Sequence, residues 1–294
     1  MKLGEAGEAE LLRRLLPLLP SHGLVIGPGE DDAAAWDEAG GGFAVASCDA
    51  SVEGVHFDLG WQRPEDVGWR ALALALGDLA AKGARPGHGL VSISAPRDWE
   101  VDTFLGVHRG IAELAKRVGL SLVGGDTTET RGPAVIAITV LGRTGIRPLP
   151  RSAVKPGWTL AVTGPLGAAM VALEAHESLR LLPRIEEGER LNRLGLICGD
   201  ISDGLGAELH KFEAMSGRGC EVEAALIPVA PGASPLQALT SGEEAELVCA
   251  GPPEVLAAAG LTAIGTLKTG GGVVLLDADG NRHAIAAAGY RHFA

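Results

Sequence analysis

Seven aspartates stand where a folding chain does not readily leave a charge, and they constrain the fold more than any hydrophobic pattern does. Asp78 lies between Leu76 and Leu79 in an Ala/Leu run, Asp49 follows an apolar strand-like segment, and Asp31 and Asp32 close the turn that begins Gly27-Pro28-Gly29-Glu30. Asp126 follows Gly124-Gly125, and Asp200 and Asp203 flank Ser202. A carboxylate taken out of water without a partner is costly, so the fold must bring cations or hydrogen-bond donors to these positions. A divalent metal is the economical partner, and oxygen donors without His or Cys ligand spacing favour Mg²⁺ over zinc. Magnesium commonly shares its coordination with phosphates. The neighbouring glycines allow close backbone approach to a polyphosphate, and Ser47, Thr127, Thr128 and Ser202 add hydroxyls. The combination points to nucleotide phosphoryl transfer.

Plainer uses exist for several of these residues. Ser202 or Asp203 also suits the cap of a helix predicted over Asp203–Ser216, and Asp31 and Asp32 also suit turn formation. No GxxxxGK[ST] sequence and no protein-kinase signature set occurs, which excludes a P-loop or protein-kinase fold. A formal net charge of −12 argues against a nonspecific nucleic-acid binder. No apolar run reaches the length of a membrane span, and MKLGEAGEAE lacks the basic and apolar regions of a signal peptide, so a cytoplasmic location is expected. Cys48, Cys198, Cys220 and Cys249 form no CxxC pair, so neither a zinc site nor a disulfide framework is expected.

At 294 residues the chain has room for two domains. Helices are predicted over Glu8–Leu19, Ala71–Ala81 with Pro64 at a first helical position, Val101–Val118 ending at Gly119, Leu166–His176 and Asp203–Ser216. Strands are predicted over Phe43–Ser47, Leu120–Val123, Ala134–Leu141, Thr159–Thr163, Glu246–Ala250, Ala263–Leu267 and Val273–Asp277. Gly124-Gly125-Asp126-Thr127-Thr128 reads as a turn, and Asp277-Ala278-Asp279-Gly280 as a hairpin turn. The proline-rich stretch from Gly142 to Gly157 predicts a boundary, giving domains 1–145 and 146–294. This mixed order indicates α+β domains rather than strict α/β alternation.

Taken in order, the segments resemble the thiamine-monophosphate kinase family, within the PurM-like superfamily of aminoimidazole ribonucleotide synthetase. The resemblance runs nearly end to end. It rests on Gly29-Glu30-Asp31-Asp32-Ala33-Ala34, Cys48-Asp49 with Val52-Glu53-Gly54-Val55-His56-Phe57, Gly77-Asp78-Leu79-Ala80-Ala81-Lys82-Gly83-Ala84, Gly124-Gly125-Asp126-Thr127-Thr128, Arg151-Ser152 with Lys155-Pro156-Gly157, Asp200-Ile201-Ser202-Asp203-Gly204-Leu205, and Gly289-Tyr290-Arg291-His292-Phe293.

The resemblance implies a two-domain PurM-like α+β fold, a homodimer paired through the N-terminal sheet, and direct transfer of the ATP γ-phosphoryl onto thiamine monophosphate. It implies Mg²⁺ at Asp31, Ser47, Cys48, Asp49, Asp78, Asp126, Asp200 and Asp203. ATP contacts are implied at Gly125, Asp126, Arg151, Ser202 and His108, with Asp49, Asp126 and Arg151 central to catalysis. His56, Glu243 and Tyr290 are implied to meet the thiamine moiety. Four departures are visible: Ser47-Cys48 replaces a family Thr pair, Ser241-Gly242-Glu243-Glu244-Ala245-Glu246-Leu247 replaces GGEDYEL, Glu129-Thr130 follows Thr128 without the family's basic residue, and His108 stands at an aromatic position. The altered loop and Cys48 motivate one alternative, a non-catalytic nucleotide-binding or maturation scaffold; the rival within catalysis is an ATP-using enzyme of the superfamily with another acceptor.

Overall fold

The computed structural model describes residues 1–285. The chain runs α1 (Leu3–Leu15), β1 (Leu24–Ile26), β2 (Ala34–Asp37), β3 (Phe43–Val52), α2 (Pro64–Ala81), β4 (Arg85–Pro96), α3 (Val101–Val118), β5 (Ser121–Thr130) and β6 (Val135–Thr144). These strands form one sheet in the order β1-β2-β3-β6-β4-β5. After the stretch 145–158 come β7 (Thr159–Val162), α4 (Ala168–Glu174), α5 (Ile185–Arg193), β8 (Ile197–Asp200), α6 (Leu205–Ser216), β9 (Gly219–Glu223) and α7 (Pro235–Thr240). Then follow β10 (Leu247–Gly251), α8 (Pro253–Ala258), β11 (Thr262–Lys268), β12 (Val273–Leu276) and β13 (Arg282–Ala284). Their sheet has the order β13-β12-β9-β11-β7-β10-β8.

Local chemistry explains the helices that carry the site. Helix α2 starts on Pro64, whose fixed φ suits a first helical position, and Glu65 and Asp66 complement its N-terminal dipole. Helix α3 ends at Gly119, which takes a left-handed φ of 74°. The two helices cross closely: a Cβ on Gly68 would lie 1.9 Å from the Val107 carbonyl oxygen, and one on Gly110 would lie 1.8 Å from that of Glu65. No larger residue fits either crossing.

One face of the first sheet is therefore covered and the other is bare. On β6, Ile136, Ile138 and Val140 are fully buried against the helices, while the alternate residues Ala137, Thr139 and Leu141 are half-buried. Strand alternation puts consecutive residues on opposite faces. The register aligns Asp49, Ile138, Val91 and Gly125 in one cross-sheet row, and Ala50, Ala137, Ser92 and Asp126 in the next. The first row lies on the covered side, because Ile138 and Val91 are buried there. The second lies on the bare side.

Three of the boundaries that change bear on the site. Asp49 does not follow its strand but lies inside it, since β3 extends to Val52. Gly124 to Thr128 is not a turn but the middle of edge strand β5, in parallel pairing with β4. The helix expected from Asp203 starts at Leu205, with Gly204 as its cap and no side-chain cap bond.

Candidate active site

The turn between β1 and β2 separates its two aspartates. The Asp31 carboxylate is buried and accepts bonds from the Asp32 and Arg151 backbone N–H groups, each at 2.9 Å. It also pairs with the Lys82 ammonium and the Arg151 guanidinium. Its two oxygens are occupied by protein donors. Asp32, one residue on, turns the other way and joins Asp78 and Asp200, with one carboxylate oxygen from each lying within 4.8 Å of the others.

These three acids come from distant parts of the chain. Asp32 belongs to the β1–β2 turn, Asp78 to the buried stripe of α2, and Asp200 to the last position of β8 in the second sheet. The Ser47 hydroxyl, on the covered face of β3, donates to Asp78. Asp49 shares that face. Around them, Asp203 lies 3.0 Å from the Lys211 ammonium, which is also 3.1 Å from Asp32 and 2.6 Å from Glu208. The guanidinium of Arg151 is fully buried and reaches Asp32 at 3.0 Å, Glu208 at 2.7 Å and Asp200 at 3.7 Å.

Crowding of like charges sets the electrostatics. Burial, with the Asp200 and Asp32 carboxylates nearby, pushes Asp49 up to about 7. Burial and the charges of Asp49 and Asp32 likewise push Asp78 up to about 7. Asp200 is raised well above the usual carboxylate range, by burial and by Asp78. Asp32 behaves oppositely: burial would raise it, but the cations of Arg151 and Lys211 outweigh burial and hold it at about 2. Buried carboxylates this close together repel one another as anions, a repulsion that a divalent cation among them would relieve. Asp200 Oδ1 is buried without a hydrogen-bond partner. An all-oxygen donor set with an unsatisfied buried oxygen fits a hard divalent cation.

A second feature adjoins this cluster. Arg70, Ala73, Leu74 and Gly77 of α2, with Asp200 and Glu243, line a pocket. Glu243 takes a left-handed φ of 57°, rare for a residue with a side chain, and its carboxylate lies 3.0 Å from the Arg70 guanidinium. Its backbone N–H donates to the Ser202 carbonyl at 2.6 Å. Burial, working against the nearby Arg70 charge, raises the Glu243 carboxyl. Glu244 is buried differently, accepting the Gly167 and Ala169 N–H groups at the start of α4 at 2.9 and 3.1 Å.

The structure thus gathers Ser47, Asp49, Asp78, Asp200 and Asp203, and brings Ser202 and Glu243 beside them. It separates others. The Cys48 side chain points to the bare face, where its sulfur accepts from the Thr139 hydroxyl at 3.3 Å, so alternation on β3 carries it away from the cluster. Asp126 sits on that same bare face, as the hydroxyl contact between Ser94 and Thr128 at 2.8 Å confirms for the row two residues on. Gly125 is pinned beside β4, since a Cβ there would meet the Val91 carbonyl oxygen at 1.7 Å. Arg151 is occupied inside the protein rather than presented to solvent. The His108 ring lies tilted at 40° to that of Phe104 on the same helix α3, with centroids 4.6 Å apart. The His56 Nδ1 accepts the Val52 N–H at 3.1 Å in the turn after β3. Tyr290 and the segment 289–293 lie outside the described residues.

Sequence reading did not assign Asp32, Lys82, Glu208 or Lys211 to the site. Asp32 was visible as a misplaced acid but indistinguishable from its neighbour. Glu208 carried a usable signal: it falls between Leu205, Leu209 and Phe212 on the buried stripe of α6.

Residues 30–144 match the family model of the AIR synthase related protein N-terminal domain. Over most of the chain, the thiamine-monophosphate kinase of Bacillus subtilis is 31% identical over 268 residues, covering 82% of each protein. That of Methanopyrus kandleri is 33% identical, covering 90% of this chain and 91% of the relative. The chain belongs to the thiamine-monophosphate kinase family. A solved structure of AaThiL complexed with AMPPCP and TMP superposes with a TM-score of 0.87 at 26% identity, covering 99% of both chains. The two-sheet α+β architecture is therefore the PurM-like fold of this kinase family, and the convergent carboxylates lie in a kinase scaffold.

Proposed function

We infer that the protein is a thiamine-monophosphate kinase, transferring the γ-phosphoryl group of ATP directly onto the phosphate of thiamine monophosphate to give thiamine diphosphate and ADP. The observation that carries this reading is the meeting of Asp32, Asp78 and Asp200 from both sheets, in a chain related over most of its length to kinases of that name. A Mg²⁺ ion fits those three side chains, with Asp49 and Asp203 beside them, and when bound supplies neutralisation of the polyphosphate charge. The acceptor is a phosphate-monoester oxygen, already a competent nucleophile, so no side chain has to act as a strong base.

The protein groups then do three things. Arg151, Lys82 and Asp31 hold the carboxylates in register across the two sheets, which is positioning work rather than contact with phosphate. Glu243, at the mouth of the Arg70 pocket, offers an anion to the cationic thiazolium, with His56 and Tyr290 as the further thiamine contacts. Gly125, Asp126 and Ser202 face the nucleotide phosphates, and the ring of His108 the adenine. We place dimerisation and most of the ATP and metal contacts in residues 1–145, with Asp200, Ser202 and Asp203 coming from the α+β domain 146–294.

Asp126 cannot serve the Asp49 cluster of its own chain, because the sheet lies between them. Asp126 stands on edge strand β5, so in a homodimer paired through this sheet it would reach a second copy's nucleotide round the sheet's edge rather than through the sheet. Among the described residues no helix is long and apolar enough to cross a membrane, in keeping with a cytoplasmic enzyme. The test is direct. Purified protein mixed with ATP, Mg²⁺ and thiamine monophosphate should yield thiamine diphosphate by chromatography. ATP binding without that product would favour a maturation scaffold, and ATP turnover indifferent to thiamine monophosphate would favour another acceptor.

A further inference from the structure

Lys211 is the basic residue of the cluster whose position the kinase reading does not use. It projects from α6, and its ammonium stands within 3.1 Å of three carboxylates on different segments: Asp32 of the first-sheet turn, Asp203 ahead of α6, and Glu208 on α6 itself. The side chain is 25% exposed while Glu208 is fully buried, so the ammonium closes the outer edge of a buried charge array. Arg151 is the cation facing it from the inner side. Asp31 is already taken by Lys82 and Arg151, while Asp32 Oδ2 is shared by Arg151 at 3.0 Å and Lys211 at 3.1 Å, so Lys211 is the less buried of the two cations on that oxygen.

We propose that Lys211 is the acidic site's built-in cation: without divalent metal its ammonium ties Asp32 of the first sheet to Asp203 and Glu208 of the second, and an arriving divalent ion competes with it for Asp32 and Asp203. This rests on the cluster being the cation site of the proposed kinase. Two charges of the same sign sharing carboxylates a few ångströms apart repel through a medium that screens poorly, so metal entry requires the ammonium to give up part of its contacts. Lys211 is thus a positioning residue that keeps the metal-free site folded and lowers its affinity for a cation arriving without nucleotide.

The experiment uses Lys211→Gln and Lys211→Arg, with thermal melting and Mn²⁺ binding followed by paramagnetic resonance, both without ATP or thiamine monophosphate. Lys211→Gln should melt about 3 °C or more below wild type without metal, and recover most of that loss in saturating Mg²⁺. It should bind Mn²⁺ at least about threefold more tightly. Lys211→Arg, which keeps the charge, should melt near wild type without metal. The proposal is overturned by an unchanged metal-free melting temperature in Lys211→Gln, by weaker Mn²⁺ binding in that variant, by a variant that stays unfolded even in saturating Mg²⁺, or by the absence of any metal response in both proteins. Formation of thiamine diphosphate is measured separately. A wild type that makes none while the melting pattern holds sinks the kinase reading alone, and an active wild type with an indifferent Lys211→Gln sinks only this proposal.

Discussion

The two faces of the first sheet carry the same kinds of residue and treat them in opposite ways. On the covered face, Ser47 and Asp49 lie under α2, within reach of Asp78, and the Asp49 carboxyl is pushed up to about 7 by burial and neighbouring acids. On the bare face, Cys48 and Asp126 meet small polar neighbours, Thr139 in one case and the Ser92 row in the other. One step along β3 decides which environment a side chain meets. The comparison teaches that adjacency in a motif is not adjacency in space: Ser47, Cys48 and Asp49 read as one ligand run, yet only the first and third share a face.

The sharpest way to break this comparison is to remove a covered-face carboxylate. Asp78→Asn should lower turnover by at least about 10²-fold while leaving the metal-free melting temperature near or above that of wild type, since it removes a crowded buried acid. Retained turnover would take Asp78 out of the site.

Next comes a complementation test across the sheet. Asp49→Asn and Asp126→Asn should each be inactive alone. Mixed and reassorted, they should recover about a quarter of the wild-type rate, because half the dimers then carry one intact site. No recovery would mean that Asp126 does not act on a partner's cluster.

A third effect is pH-dependent. Asp49, Asp78 and Glu208 have folded-state values near 7, raised from ordinary carboxylate values, so the native state binds more protons than the unfolded chain between those limits. The metal-free protein should therefore lose stability as pH rises from about 4 to about 7, and the gain from added Mg²⁺ should grow over the same window. A melting temperature that climbs steadily with pH without metal would contradict the crowding. Asp32, depressed to about 2, contributes in the opposite sense, with stability present above about 4 and lost toward pH 2.

The smaller effects contrast single residues. His56→Ala should raise KM for thiamine monophosphate several-fold more than KM for ATP, and equal shifts would remove it from the acceptor side. Cys48→Ser, on the bare face, should change kcat by less than about twofold. A larger loss would return Cys48 to the catalytic side.

Much of the frame was legible because it is written in local chemistry. Helix α3 follows an apolar stripe closed by a left-handed glycine, and α2 follows a proline start with an apolar body. The misplaced acids were legible too, since Asp78 in an apolar helix has few innocent explanations. What misled was punctuation. Gly124-Gly125-Asp126 carries the residues of a turn, but the glycines serve a bulged edge strand pressed onto the Val91 carbonyl. Strand β4 was missed for a related reason, because it opens on Arg85-Pro86-Gly87. The choice between Asp31 and Asp32 was never local: it depends on Lys82 and Arg151 arriving from 51 and 120 residues away.

That knot around Asp31 has a further consequence. Lys82 closes α2 of the first sheet's half, yet its ammonium also donates to the Cys198 carbonyl of β8 at 2.8 Å, while Arg151 links the β1–β2 turn to Glu208. Cutting the chain near residue 145 would strand Asp31 and Lys82 with one fragment and Arg151 with the other, each half exposing charges that only the other half answers. The halves are separate in architecture but not in solvation, and either one expressed by itself should be insoluble or partly unfolded.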